Sequence, residues 1–257
     1  MSRHRMIFLL LHDFKVIRQV KWRLAELVYF PVTTIVIWGF FAKASRESAF
    51  STALAVLAVN VLWNFASVAQ STTNMQIMED IWSGNLRQIL LTGVTSLEYI
   101  VARIIFAQIL AVPMGVVLVA LAVPFGLTVN GMYGEAAAVT AMTAIASSAL
   151  ALVVAGAVFT LGRDYGFLAW TFIQMFVLLS APFNPPEIFP QPLELLSRFM
   201  PFTDAFRIAR CIAAGQVVGA APIVRGFIAA ACYVAAGLPL YFAAFRRARR
   251  TGMLAKL

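Results

Sequence analysis

Charge is scarce in this chain, and so are most of the side chains that carry chemistry. Charged residues make up 12% of 257 positions and apolar residues 61%, whereas soluble domains are about a quarter charged. An ordinary water-soluble globule is excluded. The two histidines, His4 and His12, both fall in the N-terminal arm. The clustered imidazoles and carboxylates of an intramembrane metalloprotease, or the base of an intramembrane serine protease, are therefore missing. Cys211 and Cys232 stand far apart and read as two small apolar side chains, not a disulfide. No Gly-Lys pair occurs, so the chain lacks the Gly-x-x-x-x-Gly-Lys-Ser/Thr loop that cradles phosphates, and any nucleotide must bind elsewhere. No carboxylate lies well inside a predicted span, which leaves a proton relay without residues. Strands of about ten residues alternating in polarity, the mark of a membrane β-barrel, are also absent.

What is present is long apolar sequence. Runs at about 27–42, 52–72, 101–125, 136–161, 167–182 and 222–245 each approach the roughly 20 residues that cross a hydrocarbon core. The expected fold is an all-α membrane protein of six transmembrane helices. Three parts are expected: an amphipathic interfacial helix over 1–26, a six-helix domain over 27–245 and a basic tail over 246–257.

The formal charge of +9 is concentrated at the two ends. Arg3, Arg5, Lys15, Arg18, Lys21 and Arg23 precede the first span, and Arg246, Arg247, Arg249, Arg250 and Lys256 follow the last. This pattern orients a membrane chain and places both termini in the cytoplasm; it is not a nucleic-acid footprint. Arg198, Arg207, Arg210 and Arg225 fall on the outer side against that rule, partly balanced by Glu187, Glu194 and Asp204. In the N-terminal arm Phe14, Ile17, Val20 and Leu24 recur at helical spacing between basic residues, as in a helix lying at a membrane surface. No cleavable signal peptide is expected there.

Two segments break the pattern. Residues 73–100 are expected to face the cytoplasm and hold a polar, weakly amphipathic stretch around Glu79, Asp80, Trp82, Gly84, Leu86 and Leu90. Between 183 and 221, prolines end the fifth span and short helical periodicity follows, consistent with interfacial or re-entrant helices forming an outer cap or gate. Inside the spans the polar residues are uncharged: Asn60, Asn64, Gln70, Gln108 and Gln174. Asn60 and Asn64, one turn apart, suit either helix packing or a pathway. Phe167, Trp170, Phe172 and Phe176 suit lipid, neighbouring helices or a route for cargo.

Glu79, Gly84 and Leu86 form a Glu-x-x-x-x-Gly-x-Leu core after span two. Phe189-Pro190 and then Pro201-Phe202-Thr203 precede span six. With the basic interfacial helix and the span order, this resembles the ABC-2 type permeases, the transmembrane subunits of ATP-binding cassette exporters. Leu90 and Leu91 also match; Asn85 stands where Thr is common, Arg87 where a second acid is common, and Gly93-Val94 near an expected Pro.

The resemblance implies a permease dimer, homomeric or with a similar chain, in a bacterial or archaeal inner membrane. Two copies of an ABC ATPase would dock below it, with ATP and Mg bound by the ATPase and none on this chain. Glu79, Asp80, Trp82, Gly84, Leu86 and Leu90 would form the coupling helix. Phe189, Pro190, Pro201 and Phe202 would be outer gate residues, and Asn60, Asn64, Phe172 and Phe176 would line the pathway. Cargo is expected to be amphipathic or hydrophobic: a drug, a lipid or a lipid-linked glycan or polysaccharide. The chain itself would be neither an enzyme nor a metal site. An ion-coupled carrier or channel, or a non-catalytic scaffold, is the alternative.

Overall fold

Ten helices account for nearly all of the ordered backbone in the computed structural model, which describes residues 3–19, 21–45, 47–129 and 131–251, without the side chains at 21–24, 47–50 and 163. They are α1 (Arg3–Gln19), α2 (Lys21–Ala44), α3 (Glu47–Trp82), α4 (Asn85–Leu91), α5 (Ser96–Ala122), α6 (Tyr133–Leu161), α7 (Leu168–Leu179), α8 (Gln191–Arg198), α9 (Thr203–Ala213) and α10 (Ala220–Arg250). No strand occurs among the described residues. Five segments are long and apolar enough to cross a bilayer: Ala25–Ala44, Ser51–Trp82, Ser96–Phe125, Tyr133–Leu161 and Ala220–Arg250.

The expected fifth span is shorter than its apolar run. Its helix α7 has 12 residues, about 18 Å at 1.5 Å per residue, and stops at Ser180 ahead of Pro182, Pro185 and Pro186, which cannot donate the backbone bonds that would continue it. The chain still has to travel from one end of the bundle to the other here. Helices α6 and α10 run parallel along the most extensive contact in the fold. Phe159 stacks near Phe245 at 5.3 Å at one end, while Met142 meets Gly226 toward the other.

Their close approach depends on small residues. Ideal Cβ atoms on Gly156 and Gly237 would come within 3.5 Å of the Tyr241 backbone and 3.0 Å of the Ala149 carbonyl respectively. Such small-residue seams hold membrane helices together by van der Waals contact, since lipid supplies no hydrophobic drive between them. Gln108 of α5 adds a polar contact to α6, donating to Ser148 at 3.1 Å.

The second predicted span also differs. Helix α3 runs unbroken for 36 residues through Trp82, so Glu79, Asp80 and Trp82 lie on its last turns and not in a separate helix. It packs against α2, α5, α6, α7 and α9 and forms the axis of the main apolar core, with Leu57, Phe65 and Ala66 buried.

Helix α1 corrects the expected apolar stripe. Its buried face is Leu9, Asp13 and Ile17, one residue per turn, with a carboxylate at its centre. Phe14 is partly exposed and stacks edge-on against Phe106 at 4.9 Å. Val20 and the Leu24 side chain lie outside the described residues.

Candidate functional site

Three neighbouring regions carry the polar groups that the composition makes rare. The first is a buried ion cluster where α1, α3 and α5 meet. Arg103 of α5 is fully buried, paired with Asp13 of α1 and with Asp80 of α3 at 2.6 Å. Tyr99 donates its hydroxyl hydrogen to the same Asp80 oxygen at 2.6 Å, and the guanidinium lies 4.8 Å from the Tyr99 ring centre. Two carboxylates around one cation are tolerated in a low-dielectric interior because both are paired with it, and Asp80 is hydrogen-bonded as well. His12 stands 3.5 Å from Asp13. Burial lowers its pKa, and that outweighs the pull of the Asp80 charge, with Arg103 and Lys15 pushing the same way as burial.

The second region is the corner between α3 and α5. Gly84 and Gly93 adopt left-handed φ of 71° and 78°, a conformation glycine adopts without steric cost, and between them α4 forms a seven-residue turn of helix. Leu86 and Ile89 point into the protein, whereas Trp82, Gly84, Arg87, Gln88 and Leu91 are exposed; Glu79 and Leu90 are half-buried. Thr95 begins α5 with a reciprocal capping box: its hydroxyl accepts from the Glu98 backbone while Glu98 accepts from the Thr95 amide at 3.0 Å. Arg5 of α1 donates to the Gly93 carbonyl at 2.5 Å and lies 3.7 Å from Glu98, so α1 braces this corner as well as the ion cluster.

The third region is a groove of about 540 Å³ between α2, α3 and α7. Asn60, Asn64, Ser67 and Ser71 line it from α3 at spacings of three and four, one face of a helix. Thr72 and Gln76 lie beside them, and Trp38, Trp63, Trp170 and Phe183 supply aromatic walls. Trp63 donates to the Gln174 side chain at 2.9 Å. Asn60 and Asn64 each donate to the carbonyl one turn earlier, at 2.9 and 2.8 Å. Ser67 Oγ, Thr72 Oγ1 and Gln76 Nε2 are buried with no hydrogen-bond partner among the described residues. Buried polar atoms are nearly always paired, so the groove offers unused donors and acceptors to whatever enters it.

Beyond the groove, toward α8 and α9, the chain bends at Ala181, a non-glycine residue at φ 49°. Arg210 of α9 holds the bend by donating to the Ala181 and Pro182 carbonyls at 2.9 and 2.7 Å. Burial lowers the pKa of that guanidinium.

Helices long and apolar enough to cross a membrane accord with the sequence comparison. The pattern of the ABC-2 type transporter family matches residues 14–214. The chain belongs to that family. Among curated proteins no match is found. Family membership makes it a multi-pass transmembrane permease component of an ABC transporter, a type of subunit generally not catalytic itself. The family also implies an ABC ATPase partner in general.

Within this ABC-2 framework the predicted residues separate clearly. Asn60 and Asn64 line the groove. Phe172 and Phe176 do not; they stack on each other at 5.1 Å, and Phe176 reaches Tyr233 at 6.0 Å, while Trp170, Ile173 and Gln174 present the groove face of α7. Of the residues expected at a partner contact, Asp80 and Leu86 are buried in intrachain contacts, and Trp82 and Gly84 are exposed. Pro201 and Phe202 are buried, and none of the four expected gate residues lines the groove. Arg103 and Asp13 were invisible as a pair in the sequence. Their one clue was an arginine inside an apolar run, which as a rule needs a partner.

Proposed function

We propose that the chain is the permease half of an ATP-driven exporter, working as a dimer with two ABC ATPases that bind ATP and Mg, in a bacterial or archaeal inner membrane with both termini cytoplasmic. Six crossings are supported by the parallel α6 and α10, since α7 and the proline-rich segment after it must carry the chain from the end of α6 back to the opposite end, where α10 begins. The groove between α2, α3 and α7 is the cargo route, and the unpaired polar atoms of Ser67, Thr72 and Gln76 on α3 are the observation that carries this reading. Amides and hydroxyls facing tryptophan walls suit an amphipathic cargo with a polar, hydrogen-bonding part and an apolar body. Among the described residues Glu26 is the one charged side chain lining the groove and no ion cluster lines it, which disfavours an ion-coupled carrier. Trp82, Arg87, Gln88 and Leu91 form the coupling surface, Glu79 and Leu90 flank it, and a seated ATPase would move the corner braced by Arg5 as one body.

The test is to extract the full chain gently from its native membrane and identify co-purifying proteins by mass spectrometry. A P-loop ATPase in comparable amount, lost in a Trp82→Ala/Leu91→Ala variant that still inserts, supports the reading. Its reproducible absence moves weight to a carrier, channel or scaffold.

A further inference from the structure

A second cavity, of about 1230 Å³, opens beside α8 and α9. Among the described residues its lining includes Arg198, Arg207, Arg210 and Arg225 but two carboxylates, Glu187 and Asp204. Arg225 is paired with Asp204 at 2.9 Å and Arg210 is held by backbone carbonyls. Arg198 is paired with Glu194 at 2.5 Å. Arg207 is exposed and has no ion pair among the described residues. The site therefore keeps a positive excess. The rest of the wall combines apolar side chains, Phe199 and Ile228 among them, with the polar Ser51, Thr52, Thr203 and Gln216, and Phe183 lines both this cavity and the groove.

We propose that this vestibule binds the anionic head group, phosphate-like or carboxylate-like, of an amphiphile whose apolar part lies against Phe183 and Phe199. Planar guanidinium groups match phosphate and carboxylate in two-point geometry. Apolar walls beside arginines reject a small, fully hydrated anion in favour of one with a hydrocarbon portion. Basic residues on the outer side also run against the usual topological bias, and anion recognition gives them a purpose. The proposal deepens the exporter reading and rests on it for the vestibule's place at the exit of the route; the charge and ligand preference are testable without any ATPase.

Cys211 and Cys232, the chain's two cysteines, both line the vestibule and report on it. The full chain with Cys211→Ser is placed in nanodiscs of zwitterionic lipid. It is labelled at Cys232 with methanethiosulfonates carrying either a sulfonate or a trimethylammonium group, each rate divided by that of a small free thiol. The sulfonate reagent is expected to be favoured on the order of tenfold, as for a cleft lined by one sign of charge. The preference is expected to shrink severalfold in Arg207→Gln and further in Arg198→Gln/Arg207→Gln.

Dodecyl phosphate is expected to slow labelling more than dodecylphosphocholine of the same chain length. Inorganic phosphate, added separately, distinguishes the source: no protection marks an amphiphile's head group, and equal protection overturns the amphiphile in favour of a free anion. An unreactive Cys232, no preference for the sulfonate reagent, or equal protection by the two dodecyl compounds overturns the site. Those failures leave ATPase recovery untouched, whereas loss of the ATPase partner leaves the thiol result untouched.

Discussion

Asp13, on the first helix, and Asp80, near the end of α3, share a single buried cation, Arg103. Removing that cation strands two carboxylates away from water. Arg103→Ala is expected to cost about 3–5 kcal/mol, the usual penalty for breaking a buried pair from one side, and to lower the thermal midpoint followed by tryptophan fluorescence. The triple replacement Asp13→Asn/Asp80→Asn/Arg103→Met is expected to recover much of the loss, because it leaves no unpaired charge. An unchanged midpoint in Arg103→Ala would show that the cluster does not anchor α1.

Beside the cluster, His12 gives that anchor a pH dependence. Burial holds the folded His12 below its ordinary 6.5, so the unfolded chain binds its proton more tightly. The associated stability is complete above about pH 6.5 and is lost as pH falls from there toward the lowered folded value. A midpoint that declines over this acidic window in the wild type, and declines less in His12→Gln, is the expected result. Parallel curves for the two proteins would remove His12 from the account.

At the α4 corner, burial and exposure separate stability from recognition. Leu86 is 1% exposed and Leu91 77% exposed. Leu86→Ala is expected to destabilise the chain by about 2–5 kcal/mol, the range for deleting a buried leucine. Leu91→Ala is expected to leave the melting midpoint in place and lower ATPase recovery. The reverse assignment, with Leu91 controlling stability, would show that α4 packs with its other face inward.

The α6 and α10 seam offers a steric comparison. A methyl at Gly237 meets the Ala149 carbonyl at 3.0 Å, and backbone cannot step aside, so Gly237→Ala is expected to cost about 1–3 kcal/mol as overpacking. A methyl at Gly226 meets first the thioether of Met142, a side chain able to change rotamer. Gly226→Ala is expected to cost less, and thermal midpoints of the two variants, measured side by side, check the order.

Much of this was legible in the sequence. Apolar runs located the five long helices, and Pro182, Pro185 and Pro186 marked where the expected fifth span gives way. Gly84 and Gly93 bracket the corner helix, and Asn60 and Asn64 pointed to the groove. What stayed hidden depended on distant pairing. Asp13 sits in an arm rich in Arg and Lys, where a lone carboxylate reads as part of a wetted surface; only the fold brings Arg103 to it. The end of α3 was misplaced because polarity over 70–80 resembles a loop, whereas Gln70, Asn74 and Asp80 are buried among helices. That Phe172 and Phe176 stack on each other away from the groove was also hidden, since composition cannot say which side of α7 faces it.

The continuity of α3 has a mechanical consequence. At 36 residues it is a rod about 54 Å long, with no proline or kink-forming glycine between its ends. A tilt of about 5° imposed at Trp82 displaces Ser51, about 46 Å along the rod, by roughly 4 Å. Ser51 and Thr52 border the arginine vestibule, and Asn60 to Gln76 border the groove. One lever therefore runs past both cavities, and a push at its base would change their shapes together without any signal passing from residue to residue.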